Sequence, residues 1–545
     1  MLFSKLCGLA VLIPLIHALN PITRRGKYLY DSVTNTRFSF KGVAYQQQGA
    51  TANDPNDQFA EPSNFLDPLA DSAGCKRDLP VLGQLQINAI RTYSVNSTLN
   101  HDDCMEAFNN AGIYVVLDLS TPGNSINRAA PEWTTTQLDE YISTINAFLK
   151  YDNVLAFNVA NEVVAQLDVI PNATEAAPYI KAAARDVKAF LRSKNSTALV
   201  SYTSTDGPDT WRQNLFEYLS CDSDATSVDI FGLNNYEWCG DSNFQASYAG
   251  TEQTFSISTV PLMFSEFGCV TSPPRLWTEV AALFGPEMNQ TWSGGIAFSY
   301  FPAEGGYGLV NLTNNNETVV TNEDFARLQA QYANLTLPST PTEADAGQDV
   351  FSACPTPSAS IWLASTNLPP TPNDEACQCL EQNAFSCKFI QTNSPQESAI
   401  VGELINTACS LLGQNNGSCD PIGGSGITGD YGAISFCDPI TKLNYAMSEF
   451  FDITNRNPVS CNFDGNATAV PNAPSPTQAQ AAASSCLANL AATFTPTSPA
   501  TSSGSGSNSG PGSSGSTSGG FKTAVTVISL TWVVMISAGL WTLLV

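Results

Sequence analysis

Two short stretches hold the groups best suited to chemistry: AFNVANEV, residues 156–163, and FSEFG, residues 264–268. Each is an apolar run that ends in a carboxylate, Glu162 in the first and Glu266 in the second, and Asn161 stands directly before Glu162. Neither carboxylate has a cation close in sequence, since no Lys or Arg lies between Val159 and Val164 or between Phe264 and Cys269. Two such groups facing one cavity suit glycosidic bond cleavage, in which one acid protonates the departing oxygen and the other attacks or stabilises the anomeric carbon. Asn161 would then bind the sugar hydroxyl beside the cleaved bond. A salt bridge or an exposed loop charge explains either glutamate alone, but two of them at matching strand ends favour catalysis. Histidine chemistry is poorly supported: the chain has two, His17 and His101. The first falls in a segment expected to be removed. The second, in LNHDDC, reads as a surface residue, so neither a Ser-His-Asp triad nor a zinc site built on several histidines is expected, and no metal or cofactor is called for.

The elements that must position these glutamates are eight runs rich in β-branched and aromatic residues. They are RFSFKGVAY, INAIRTYSV, GIYVVLDLS, VLAFNVANE, ALVSYTS, VDIFGLNNY, VPLMFSEFG and GGIAFSYF, between Arg37 and Phe301. The runs are mostly continuous rather than alternating, as strands buried on both faces are. Between them, Leu138, Tyr141, Ile142, Ile145, Phe148 and Leu149 keep the spacing of one helix face. Tyr179, Ile180, Val187, Phe190 and Leu191 do so less regularly. The pattern predicts an α/β fold, an eight-stranded (β/α)8 TIM barrel; an open doubly wound sheet is disfavoured because no Gly-rich phosphate loop follows the first strand. Barrel enzymes gather reactive groups where strands end, which places Glu162 at the end of the fourth strand and Glu266 at the end of the seventh. Tyr45, Tyr93, Tyr236, Trp238, Tyr300 and Phe301, at other strand ends, could stack on pyranose faces or belong to the core, and for Phe301 the core is favoured. Gln46 and Asp118 could bind hydroxyls. Arg91, inside the second strand, would be costly to bury unpaired and is expected to brace a carboxylate such as Glu266.

Composition narrows the partners. A net charge of -26, with only 23 Lys and Arg, argues against nucleic acid. Lys5 followed by an apolar run and Ala18 reads as a secretory signal over residues 1–18. Thr523 to Val545 is apolar and long enough to span a bilayer. A Ser/Gly tract upstream and the absence of a basic flank favour a glycolipid-anchor signal over a transmembrane helix, with Asn508 the attachment candidate and Gly510 or Ser513 as others. Nine sequons, at Asn96, Asn172, Asn195, Asn289, Asn311, Asn316, Asn334, Asn416 and Asn466, fit a secreted glycoprotein. Of 15 cysteines, Cys7 would leave with the signal; the even remainder suits disulfides in an oxidising compartment. The expected organisation is a barrel over 19–337, a linker over 338–374, a small cysteine-rich domain over 375–490, a Ser/Gly-rich stalk with the attachment region over 491–520, and a removed tail over 521–545.

GVAYQ, IRTYSVN, NVANE, NNYEWCG, SEFG and SGGIAFSYF, in that order, resemble the fungal β-1,3-glucanosyltransferases of glycoside hydrolase family 72. SCDPI, LNYAMSEFF and CNFDGNATA resemble the cysteine box of that family, a β-1,3-glucan-binding X8 module. The resemblance implies Glu162 as acid/base, Glu266 as nucleophile, and donor-sugar contacts from Gln46, Tyr93, Asp118, Asn161, Tyr236 and Tyr300. It implies bridges Cys75–Cys104, Cys221–Cys354, Cys239–Cys269, Cys377–Cys437, Cys379–Cys486, Cys387–Cys461 and Cys409–Cys419. The second of these would tie the linker back to the barrel. It also implies transfer between β-1,3-glucan chains by a monomer, glycolipid-anchored at the outer face of the plasma membrane and in the cell wall. A retaining endo-β-1,3-glucanase is the alternative activity, and a wall-binding protein with an inactive barrel is the alternative class.

Overall fold

A computed structural model describes residues 19–47, 65–165, 173–358, 361–392, 394, 396–488 and 495–499. The signal segment, the sequon at Asn172, Asn508 and the C-terminal tail lie outside the described residues.

Eight parallel strands close into a barrel in sequential order: β1 Phe40–Ala44, β2 Ala89–Thr92, β3 Tyr114–Asp118, β4 Val154–Asn161, β5 Leu199–Thr205, β6 Ile230–Asn234, β7 Leu262–Phe267 and β8 Trp292–Ala297. Closure is made by β8 on β1, pairing Gly294–Ala297 with Phe40–Val43. Six lie wholly within the runs read from the sequence; β5 runs one residue past its run, to Thr205, and β8 begins two residues before its run, at Trp292. Because both faces of each strand are covered, the barrel has two apolar layers. Inside it, Ala44, Val116, Ala156, Ile230, Met263 and Ile296 pack together, and Ile22, Leu29 and Phe38 from an N-terminal three-stranded antiparallel sheet join them. The outer layer lies between strands and helices. The helix Thr135–Phe148 opens with a capping box between Thr134 and Gln137 and buries Leu138, Tyr141, Ile142, Ile145 and Phe148. The helix Ala177–Ser193 buries nearly its whole length, because the barrel lies on one side of it and the connection to the second domain on another.

The connection over 338–374 is not a loose tether. Trp362 and Ala364 are fully buried, Trp362 against Tyr218, and Cys354 is bonded to Cys221 at the end of the helix Asp209–Ser220. Composition rich in Pro and Thr concealed this, since proline-rich chain packs well when its few apolar side chains find slots. Beyond it, the helices Asp374–Asn383, Glu397–Gln414, Pro439–Ile453 and Pro476–Leu487 surround two small apolar cores. Four disulfides, Cys377–Cys437, Cys379–Cys486, Cys387–Cys461 and Cys409–Cys419, cross these cores, and Cys75–Cys104 and Cys239–Cys269 lie in the barrel. Such cross-links stabilise a domain too small to rely on apolar burial alone. The cysteine-rich domain is docked on the barrel: the Thr135 N–H donates to the Phe436 carbonyl at 2.9 Å, Lys442 pairs with Glu132 at 2.8 Å, and the rings of Tyr431 and Tyr179 meet edge to face.

His101 departs from its sequence reading. It is 2 % exposed, its Nε2 is 2.8 Å from Asp67 Oδ2, and its ring lies against Phe148. The sequence around it is polar, but the ring turns inward toward an acid more than 30 residues upstream, which only the folded chain brings near. Among the other sequons, Asn96, Asn195, Asn311, Asn316, Asn334 and Asn416 are exposed, whereas Asn289 and Asn466 are half-buried.

Candidate active site

The C-terminal ends of the barrel strands bring both glutamates to one mouth. β4 finishes at Asn161, and Glu162 follows with φ 53, in the left-handed region where a side chain with a Cβ is strained. Its N–H is tied to the Thr203 carbonyl of β5 at 2.9 Å. That local turn takes Glu162 off the strand's alternation and into the mouth, where Asn234 Nδ2, at the end of β6, donates to its Oε1 at 2.7 Å.

Glu266 arrives from β7 and is only 8 % exposed. Its Oε1 accepts from the Tyr93 hydroxyl at 2.8 Å and from Arg91 at 3.3 Å, and its Oε2 accepts from the Tyr236 hydroxyl at 2.8 Å. Burial pushes the carboxyl up to about 7; Arg91 and the two hydroxyls oppose that rise, and the nearby charge of Glu162 adds to it. Burial, with Glu266 alongside, also pushes both phenols well above their ordinary value, so Tyr93 and Tyr236 stay protonated and act as donors.

Arg91 organises the floor. It is fully buried and makes a two-point pair with Asp118, Nε to Oδ1 at 3.1 Å and NH2 to Oδ2 at 2.8 Å. The same guanidinium reaches Asn161 Oδ1 at 2.8 Å and lies 4.2 Å from the centre of the Tyr93 ring. One cation thus positions an amide, a phenol and two carboxylates. The planar fork of arginine can do this and a lysine ammonium cannot. The bracing of Glu266 by Arg91 was legible in the sequence; the pairing with Asp118 was not.

The residues singled out as sugar contacts divide into two groups. Tyr93, Asn161 and Tyr236 are half-buried at the open mouth. Asp118 is 2 % exposed with both oxygens on Arg91. Gln46 spends its amide on the Leu66 and Gln47 carbonyls and its oxygen on the N–H groups of Tyr93 and Ser94. Tyr300 is fully buried against Tyr45 and Phe301. Tyr45 is core as well, its hydroxyl on Asp78, and Trp238 is buried with its indole N–H on Thr278. Two further rings, Phe298 and Tyr307, are half-buried beside Tyr236: Tyr307 stands 5.0 Å from Phe298 and 5.8 Å from Tyr236, centre to centre. Sequence reasoning missed these two and Asn234. Phe298 follows the last residue of β8, where the chain turns and strand alternation stops assigning faces. For Asn234 a signal existed, the paired amides of NNY closing a strand.

Comparison with known proteins points the same way. A family model described as Glucanosyltransferase matches residues 13–336, and one described as X8 domain matches residues 381–468. The chain is similar to 1,3-beta-glucanosyltransferase gas1 of Schizosaccharomyces pombe, 36% identical over 458 residues that cover 83% of this chain and 79% of that protein. It is also similar to 1,3-beta-glucanosyltransferase GAS2 of Saccharomyces cerevisiae, 35% identical over 439 residues, 78% of this chain and 75% of that one. Among solved structures, a Saccharomyces cerevisiae Gas2p mutant in complex with laminaritetraose and laminaripentaose superposes with a TM-score of 0.74 at 32% identity, covering 87% of this chain and 99% of that chain.

Proposed function

The chain belongs to the glucanosyltransferase family, and from that membership we propose that it remodels β-1,3-glucan by cutting an internal bond and joining the new reducing end to the non-reducing end of another chain. The observation that carries the reading is the way Glu266 is held, by two tyrosine hydroxyls and Arg91, beside a second carboxyl held by Asn234.

In the first half-reaction the Glu266 carboxylate attacks the anomeric carbon of an internal glucose. The glycosidic C–O bond breaks, and the departing oxygen takes the proton of Glu162. The leaving fragment departs with its reducing end, and a glucosyl ester remains on Glu266. In the second, Glu162, now an anion, removes the proton from the 3-hydroxyl of an acceptor glucan; that oxygen bonds to the anomeric carbon and Glu266 leaves as the carboxylate. Two displacements preserve the anomeric configuration, as carboxyls about 5 to 5.5 Å apart do in retaining enzymes. An acceptor seated in line gains effective concentration over water, which favours transfer above hydrolysis. No cofactor takes part.

Tyr93, Asn161 and Tyr236 touch the donor sugar, while Gln46 and Asp118 brace Tyr93 and Arg91 from below and Tyr300 sits in the aromatic layer beneath β1. We assign 19–337 to catalysis and 375–490 to glucan binding, with 338–374 joining them. The remaining parts of the reading concern place and state: a monomer, exported by residues 1–18, carried through Asn508 on a glycolipid at the outer face of the plasma membrane and in the wall, with 491–520 as stalk and 521–545 removed.

The test is product analysis on a laminarin oligomer of defined length with its reducing end reduced. Transfer yields chains longer than the donor; a set of products all shorter than the donor marks a hydrolase and overturns the proposal. Glu162→Gln and Glu266→Gln should each abolish turnover while the protein still folds, and activity surviving in either removes that residue from its role.

A further inference from the structure

Ser265 stands one residue before Glu266 on β7 and is fully buried. Its hydroxyl donates to Asn234 Oδ1 at 2.8 Å. That bond pins the oxygen end of the carboxamide, and the nitrogen points away from Ser265. It meets Glu162 Oε1 at 2.7 Å and Asn161 Oδ1 at 3.3 Å. Both are acceptors, and Asn161 Oδ1 is fixed as one by the Arg91 guanidinium. A flipped Asn234 would set its oxygen against a carboxylate and a carbonyl at once, so these two acceptors set the orientation and Ser265 holds the oxygen end in place.

Space for this contact is provided on the neighbouring strand. Gly232 lies two residues before Asn234 on β6, and a Cβ there would come within 2.7 Å of Ser265 Oγ and 2.8 Å of Ser265 Cβ. The strand omits a side chain where the serine has to stand. Asn234 is itself only 3 % exposed, so it is part of the wall that faces Glu162 and not a group open to solvent.

We infer that Ser265 and Asn234 are positioning residues for the general acid: Ser265 fixes the Asn234 amide, and Asn234 holds the Glu162 carboxyl in the orientation from which it protonates the departing oxygen. The inference rests on the reading of Glu162 as acid/base. Its consequence is that the strand carrying the nucleophile also aims the acid, so the two catalytic groups are registered to one another through a single serine. Among the described residues, the charged or titratable groups about Glu162 include Glu266, Arg91 through Asn161, and Tyr202 on β5, which Arg128 also approaches.

The test compares two donors. A laminari-oligosaccharide needs a proton on its leaving oxygen, whereas a 2,4-dinitrophenyl β-laminarioligosaccharide does not, and its burst of dinitrophenolate reports the first half-reaction alone. Asn234→Ala should lower kcat on the oligosaccharide by about 100-fold and the burst rate by less than about 10-fold. An amide N–H favours the anion it binds, so its loss should also move the alkaline limb of the kcat profile to higher pH. Ser265→Ala should show the same split at about 5- to 10-fold, and it serves as the second variant where Asn234→Ala folds poorly. Equal losses on both donors, or no loss on either, overturn the relay. Glu162→Gln separates the two ideas: if it shows the leaving-group split and both positioning variants do not, only the relay fails; if it retains full oligosaccharide turnover, the acid/base reading fails and the relay with it.

Discussion

Replacing Glu266 by Gln should make the protein more stable relative to the native chain as pH rises, even as it destroys activity. The native carboxyl is raised from an ordinary 4.5 to about 7, chiefly by burial. Below pH 4.5 the group is protonated in both folded and unfolded chains, and its contribution to stability is fully present. Between 4.5 and 7 the unfolded chain releases the proton and the folded chain keeps it, so stability falls by about 1.4 kcal/mol per pH unit. Above 7 both states are ionised and the loss is complete, about 3.5 kcal/mol across the window. A glutamine does not titrate. Whatever constant gain or loss it brings at Arg91 is the same at every pH, so the pH-dependent part of the difference isolates the carboxyl. With an unfolding entropy of about 2 cal/mol/K per residue in a domain of roughly 300 residues, about 3.5 kcal/mol corresponds to about 5 to 6 °C in Tm. Calorimetric scans of both proteins from pH 4 to 8 should give a Tm difference that is level at the acid end, widens in favour of the variant between about 4.5 and 7, and levels again. A difference that stays flat, or moves in favour of the native protein with rising pH, would mean that Arg91 and the two tyrosines outweigh burial, and the account of the site would be refuted.

The same balance sets the acid limb of kcat/KM, which reports ionisation of the nucleophile. Removing the Glu162 charge lowers the cost of ionising Glu266 in the folded chain, so in a Glu162→Gln background the widening of the Tm difference should begin at the same pH and end at a lower one, read from the same scans. Arg91→Met strips the cation from two buried carboxylates and should cost about 3 to 5 kcal/mol by chemical denaturation, with activity lost. Replacing Cys221 and Cys354 together by Ser opens a loop of 133 residues and should cost about 4 kcal/mol, seen as a lower denaturation midpoint. His101→Ala should lower stability by about 1 to 3 kcal/mol with kcat unchanged, because the ring packs against Phe148 and bonds Asp67 far from any catalytic role. Tyr307→Ala should raise KM for oligosaccharide more than it lowers kcat, as the loss of a stacking face does when the reacting groups stay in place.

What the sequence determined by itself is the architecture and the two carboxylates that the barrel brings to one mouth. Strands buried on both faces must be continuously apolar, so eight such runs with helical stretches between them are visible without coordinates, and a carboxylate ending a strand that otherwise packs stands out as needing a partner or a task. The tertiary structure decided what each polar group does. Asp118 ends β3 as plainly as Glu162 follows β4, yet it serves Arg91 from beneath the mouth. His101, in a polar stretch, is buried. Asn234 matters because Ser265, 31 residues later in the chain, fixes its amide. Burial in a strand is a local property that repeats along the chain, whereas a hydrogen bond across a barrel joins residues with no fixed separation, and only closure of the sheet brings its two ends together.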